Sequence, residues 1–234
     1  MRNIIIALTI VLSGCATQQT EQQQTLLSET EILLDSGYKK LSNRNTKSAI
    51  ADFDKIIIIC TSQYSDGEKK VYASRGMTET LYYMLKAAAD KEDAIAVRPT
   101  CSDALYLRGY ASLDFGQIEL AEEYIKRAID MAPVNSIYLS ELGHIYHSKR
   151  DWENALDIFT KAEEAASTYS PPELKDAELT RAKRGVGYSL IELGKLDEAE
   201  IKFKECLEIN KNDQGALKEI EYIEHLRSKV PINS

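Results

Sequence analysis

Residues 136–169 read SIYLSELGHIYHSKRDWENALDIFTKAEEAASTY. Two groups of small and apolar residues stand out: Leu139, Leu142, Gly143 and Tyr146, then Ala155, Phe159 and Ala162. Spacings of i, i+4 and i+7 put Ala155, Phe159 and Ala162 on one side of a helix, a face that a neighbouring helix must cover. Gly143 and Ala155 are small enough for two antiparallel helices to approach closely, and Phe159 fills the gap between them. The same spacing recurs three times. Gly109 precedes Ala121 and Ile125, Gly187 precedes Ala199 and Phe203, and Gly37 precedes Ala49 and Phe53, with twelve residues from each Gly to its Ala. An ordinary helical bundle has no reason to keep one offset four times, so the chain predicts stacked helix pairs with a period near thirty-four residues.

The run Leu139-x2-Leu142-Gly143-x2-Tyr146 followed by Ala155-x3-Phe159-x2-Ala162 resembles the tetratricopeptide repeat (TPR). Leu139 stands where Trp is usual, and Ser112 stands at the Tyr place of the preceding unit. The resemblance implies an all-α fold: a right-handed α-solenoid of about five TPR helix pairs plus a C-terminal capping helix. The repeat domain is expected over 29–230, with units at 30–63, 68–101, 102–135, 136–169 and 180–213, a cap at 214–230 and a tail at 231–234. Each pair packs only on its neighbours, so three or more are needed to close a core. The 68–101 unit rests on the spacing of Pro99 to Pro133 and on small residues at Ala87 and Ala94, although Lys91 occupies its Phe place. Ten extra residues separate Gly143 from Gly187, near Ser167 to Asp176, where Pro171 and Pro172 break one helix before the next begins. In the cap, Leu217, Ile220, Ile223 and Leu226 form an apolar stripe that covers the last unit while the opposite face meets water.

The N-terminus reads as an address. Residues 1–14 carry Arg2 and then a run from Ile4 to Leu12 that is apolar except for Thr9, a secretory signal too short for a spanning helix. Leu12-Ser13-Gly14-Cys15 resembles the bacterial lipobox, which implies a signal peptide removed at Cys15 and a covalent lipid on that sulfur, with no other cofactor. Two or more acyl chains hold a protein stably to a bilayer. Ala16 in place of Asp implies, by the same resemblance, the bacterial outer membrane, facing the periplasm. Residues 15–28 form the lipidated Cys and a Gln-rich tether that would hold the domain ~15–20 Å from its anchor.

Among 234 residues, 29 Lys+Arg against 37 Asp+Glu give a net charge of −8, which offers no footprint for nucleic acid. No catalytic residue is assigned: no Gly-x-Ser-x-Gly occurs, and Gly185-Val186-Gly187 falls inside a helix without a phosphate-binding Lys. His144 and His147 share a helix face but lack a third ligand, so no metal is expected. Cys206 occupies a buried small-residue place, and a bridge between Cys60 and Cys101 is geometrically conceivable.

Stacked pairs curve, and their first helices line a concave face that suits a protein or peptide partner. On that face the register places Tyr38, Tyr72, Tyr106, Tyr110, His144, His147, Arg181, Arg184 and Tyr188. Tyr combines an apolar ring with a hydroxyl, which suits recognition, although any of these rings can also pack between helices. Arg181, Lys183 and Arg184 are expected either to hold a partner's carboxylate or to pair with Glu178 or Glu192. The reading is therefore a membrane-anchored adaptor or scaffold lipoprotein without enzymatic activity. It resembles the TPR lipoproteins of pilus assembly and of cell-wall or outer-membrane scaffolds. An immunity-type lipoprotein that binds and blocks a toxin is the rival, and oligomeric state is left open.

Overall fold

The computed structural model describes residue 25, residues 29–64 and residues 67–229. The signal, the lipobox and nearly all of the tether lie outside them. The chain divides into two compact units, Met1–Ser65 and Asp66–Ser234.

The first unit is one helix pair, α1 over 29–42 and α2 over Thr46–Gln63. A Cβ on Gly37 would lie 2.5 Å from Phe53 Cε1, so the glycine is what allows the helices to meet over that ring. Asp52, buried on α2, accepts hydrogen bonds from Ser36 Oγ at 2.8 Å and Lys40 Nζ at 2.6 Å, closing the pair electrostatically.

The second unit opens with β1 (Lys70–Ala73), α3 (Met77–Asp90) and β2 (Ala94–Val97), followed by a helical array. The array consists of α4 (Thr100–Leu113), α5 (Ile118–Met131), α6 (Ser136–Ser148), α7 (Trp152–Tyr169), α8 (Pro172–Glu192), α9 (Leu196–Ile209) and α10 (Gln214–Lys229). It is an α-solenoid of three helix pairs, with α10 supplying the expected cap. Each turn within a pair carries one residue in the left-handed region seven places after the packing glycine: Arg44, Gly116, Arg150 and Gly194. Asn135 and Asp151 cap α6 and α7, their side chains accepting from Ile137 N at 3.1 Å and Asn154 N at 3.4 Å. The ten extra residues lengthen helices: α7 has 18 residues and α8 has 21, against 14 in α4, α5 and α9, with Pro171-Pro172 at the corner.

The 68–101 segment departs from the expected helix pair. It is strand, helix, strand, with β1 and β2 parallel in the register Lys70↔Ala94 to Ala73↔Val97. Lys91, in the left-handed conformation, stops α3, and the Ala94-Ile95-Ala96-Val97 run then follows as a strand that pairs back on β1. Tyr72 of β1 is turned inward and stacks on Tyr83 of α3, ring centroids 4.9 Å apart. Described helix pairs therefore number four, not five.

Buried charges fix this βαβ element on the array. Arg75 Nη1 donates to Glu178 at 2.6 Å and Arg75 Nε to Glu79 at 2.9 Å, and Ser170 Oγ also donates to Glu178. Both carboxylates are buried, Glu79 at 1% exposure and Glu178 at 5%. Tyr83, Val134, Leu139, Ala162 and Ala182 share one apolar cluster that joins α3 to the helix pairs, and a second cluster around Phe159, Phe203 and Ile223 carries the core to the cap.

Candidate partner-binding cleft

First helices α6 and α8 meet over Phe159 of α7. A Cβ on Gly185 would come within 2.2 Å of that ring and one on Gly143 within 2.5 Å, so the two glycines set the distance between the helices. This approach brings His144 and His147, three apart on α6, opposite Arg181, Arg184 and Tyr188 on α8. The residues border a cleft of about 710 Å³ in the second unit. Trp152, the first residue of α7, and Glu219 of α10 complete its walls.

One wall is aromatic. The His147 ring lies 5.0 Å from Tyr188, 5.7 Å from Trp152 and 4.8 Å from Phe159. Trp152 and Tyr188 are 6.4 Å apart, and Tyr188 is 40% exposed. Burial pushes the His147 pKa down to about 4, so its ring is neutral at pH 7. Ser189 Oγ donates to Gly185 O at 2.8 Å and therefore accepts from His147 Nε2 at 2.7 Å, which assigns the proton to Nε2. His144 keeps an exposed edge, but the cleft walls strip water from its ring and Arg181, His147 and Arg184 add positive charge. Its pKa also falls to about 4.

Each cation already has an internal acid, although the buried Nε of Arg181 has no hydrogen-bond partner. Arg181 Nη2 donates to buried Glu141 at 2.6 Å and Arg184 Nη1 to buried Asp213 at 2.5 Å. Lys183 pairs with Glu163 at 2.7 Å and with Glu205. These partners replace the expected Glu178 and Glu192; Glu178 is taken by Arg75. Glu219 differs. Burial and then Glu192 push its pKa upward, and among the described residues no cation forms an ion pair with it.

Five of the nine groove residues read from the repeat register, His144, His147, Arg181, Arg184 and Tyr188, come together here. Tyr106 is half-buried, stacked on Tyr138 at 5.1 Å, and burial raises its hydroxyl pKa; Tyr110 beside it is 42% exposed. Tyr38 belongs to the first unit and is 60% exposed. Tyr72 is corrected outright: it lies in a strand at 2% exposure and lines no groove of first helices. Trp152 and Glu219 escaped the register because one begins a second helix and the other sits on the cap. Among the described residues no group of three His, Cys, Asp or Glu is placed to hold a metal, and no helix is long and apolar enough to cross a membrane.

Comparison with known proteins agrees with this architecture. Residues 85–135 and 106–171 match one form of the tetratricopeptide repeat, and residues 185–213 match another. No curated protein matches the sequence significantly. Among solved structures, PilF of Pseudomonas aeruginosa superposes with a TM-score of 0.62 at 15% identity, over 87% of this chain and 71% of PilF. MamA MSR-1 superposes with a TM-score of 0.51 at 18% identity, over 85% of this chain and 87% of its own. At these identities the likeness is one of fold.

Proposed function

We propose that this chain, which is built of tetratricopeptide repeats, is a lipid-anchored adaptor that holds a segment of a protein partner in the cleft between α6, α8 and α10. The repeats make a protein–protein interaction scaffold, and fold alone assigns no chemistry to it. One observation carries the choice of face: five first-helix side chains chosen by register alone converge on a single cleft with exposed aromatic rings. Aromatic side chains with a polar tip are the groups that anchor protein interfaces. Anchoring rests on Leu12-Ser13-Gly14-Cys15, with Cys15 carrying the lipid and Ala16 favouring the outer membrane, periplasmic side. The setting suggested by the sequence resemblance is the assembly of a pilus, secretion or cell-wall complex.

Two measurements test the two halves separately. A fatty-acid analogue should label the wild-type protein and not Cys15→Ser; label retained by Cys15→Ser removes the anchor. A photo-crosslinking amino acid placed at Tyr188 should trap a defined partner in membranes, whereas the same group at exposed Glu224 should not. Equal trapping at both positions would place the partner elsewhere.

A further inference from the structure

The cleft is chemically lopsided. Arg181 and Arg184 spend their charge on Glu141 and Asp213, both buried, at 2.6 Å and 2.5 Å. His144 and His147 are neutral at pH 7. The charge left over is the half-buried Glu219 carboxylate, which lines the same cleft as Trp152 and Tyr188. A partner's carboxylate would share an arginine whose charge an internal acid already neutralises, and would approach Glu219 as well. A partner's cation faces the two guanidinium groups as well, but each is balanced by its own acid, and the cation can lie against an aromatic face, gaining cation–π attraction, while its charge pairs with Glu219.

We infer that the cleft lined by Trp152, Tyr188 and Glu219 receives a basic side chain, Lys or Arg, from an extended segment of the partner. This rests on the cleft being the partner site and adds the chemistry of what enters it. The arrangement also gives α10 a second role, since the helix that closes the array supplies the charge that reads the ligand.

Trp152 is the sole tryptophan of the chain and lines this cleft, so its fluorescence reports changes there. The probes are the peptides (Arg-Ala)5 and (Glu-Ala)5, titrated at 150 mM salt to suppress non-specific attraction to an acidic protein. The basic peptide should perturb Trp152 saturably. Glu219→Gln should weaken it five- to tenfold with an unchanged circular dichroism spectrum, and Glu224→Gln, outside the cleft, should leave it within twofold. Saturable binding of (Glu-Ala)5 in place of (Arg-Ala)5 overturns the basic-ligand inference but keeps the cleft as the partner site. Equal affinity of Glu219→Gln and wild type for the basic peptide overturns the inference too. If neither peptide perturbs Trp152, the inference fails, and crosslinking at Tyr188 decides whether the partner site fails with it.

Discussion

Phe159 is wedged between two glycines: a Cβ on Gly185 would reach to 2.2 Å of its Cδ1, and one on Gly143 to 2.5 Å of its Cε2. One ring thus sets the separation of α6 and α8, and with it the width of the cleft. Replacing Gly185 with Ala gains about 1 kcal/mol of helix propensity but forces a well-packed ring to move, at a cost of about 1–3 kcal/mol or more. Gly185→Ala should therefore lower stability by about 1 kcal/mol in urea unfolding and dim the cleft's response to ligand. Gly76→Ala, where open space surrounds the new methyl and the only loss is a poorer N-cap for α3, should cost no more than about 1 kcal/mol. A Gly185→Ala protein as stable as wild type would contradict the close approach.

Arg75 is the shared counter-charge of Glu79 and Glu178, and both acids are out of water. Truncating one member of a buried ion-pair network strands the others, at a cost of about 3–5 kcal/mol. Arg75→Ala should release the βαβ element before the array melts. Hydrogen exchange is the suitable readout: amides of 70–97 should exchange faster while those of α7 and α8 keep most of their protection. Uniform acceleration across the second unit would mean that the element and the array unfold together.

The helix pairs were readable because their signal is local and repeated. Gly37, Gly109, Gly143 and Gly187 each sit twelve residues before an alanine, and each of the four touches the aromatic or aliphatic side chain that the pattern assigns it. The β1–α3–β2 element has no such repetition. Its strands are four residues each, and their pairing is non-local, so Lys70-Val71-Tyr72-Ala73 says nothing about Ala94 to Val97 until the crossover helix is in place. The ruler drawn from Pro99 to Pro133 instead imposed a helix on Tyr72. Two signals pointed away from it: Lys91 at the Phe place, and the Ile95 and Val97 alternation. In the cleft, α6 and α8 could be read by register, whereas Trp152 and Glu219 became neighbours only through tertiary packing.

Arg150 occupies the left-handed turn position that Gly116 and Gly194 fill in the flanking pairs, with φ of 58° against 67° and 75°. A side chain there costs about 1–2 kcal/mol, part of which a glycine gives back as unfolded-chain entropy. Arg150→Gly should stabilise the protein by about 0.5–1 kcal/mol. The equivalent change in the first unit, Arg44→Gly, should act in the same direction. Thermal unfolding of the single and double variants checks both, and a loss of stability in either would show that the arginine contributes more than its backbone costs.

His147 links acidity to stability. Folded, its ring takes up a proton only near pH 4, whereas in the unfolded chain it does so near pH 6.5. Between those values the unfolded chain binds the extra proton, so stability rises with pH and is lost as pH falls from about 6.5 towards 4. The full shift corresponds to at most about 3 kcal/mol, or roughly 6–12 °C in melting temperature for a chain of this size. His144 titrates in the same direction, while carboxylates held below their usual range by lysines, such as Glu122 and Glu205, lose stability only at the acidic end of this window. Comparison with His147→Gln isolates the imidazole: the variant should be less stable than wild type at pH 7 through lost ring packing, yet flatter between pH 6.5 and 4.5. Parallel curves for the two proteins across that interval would show that the native ring protonates as freely as the unfolded one, and that the aromatic wall is wet.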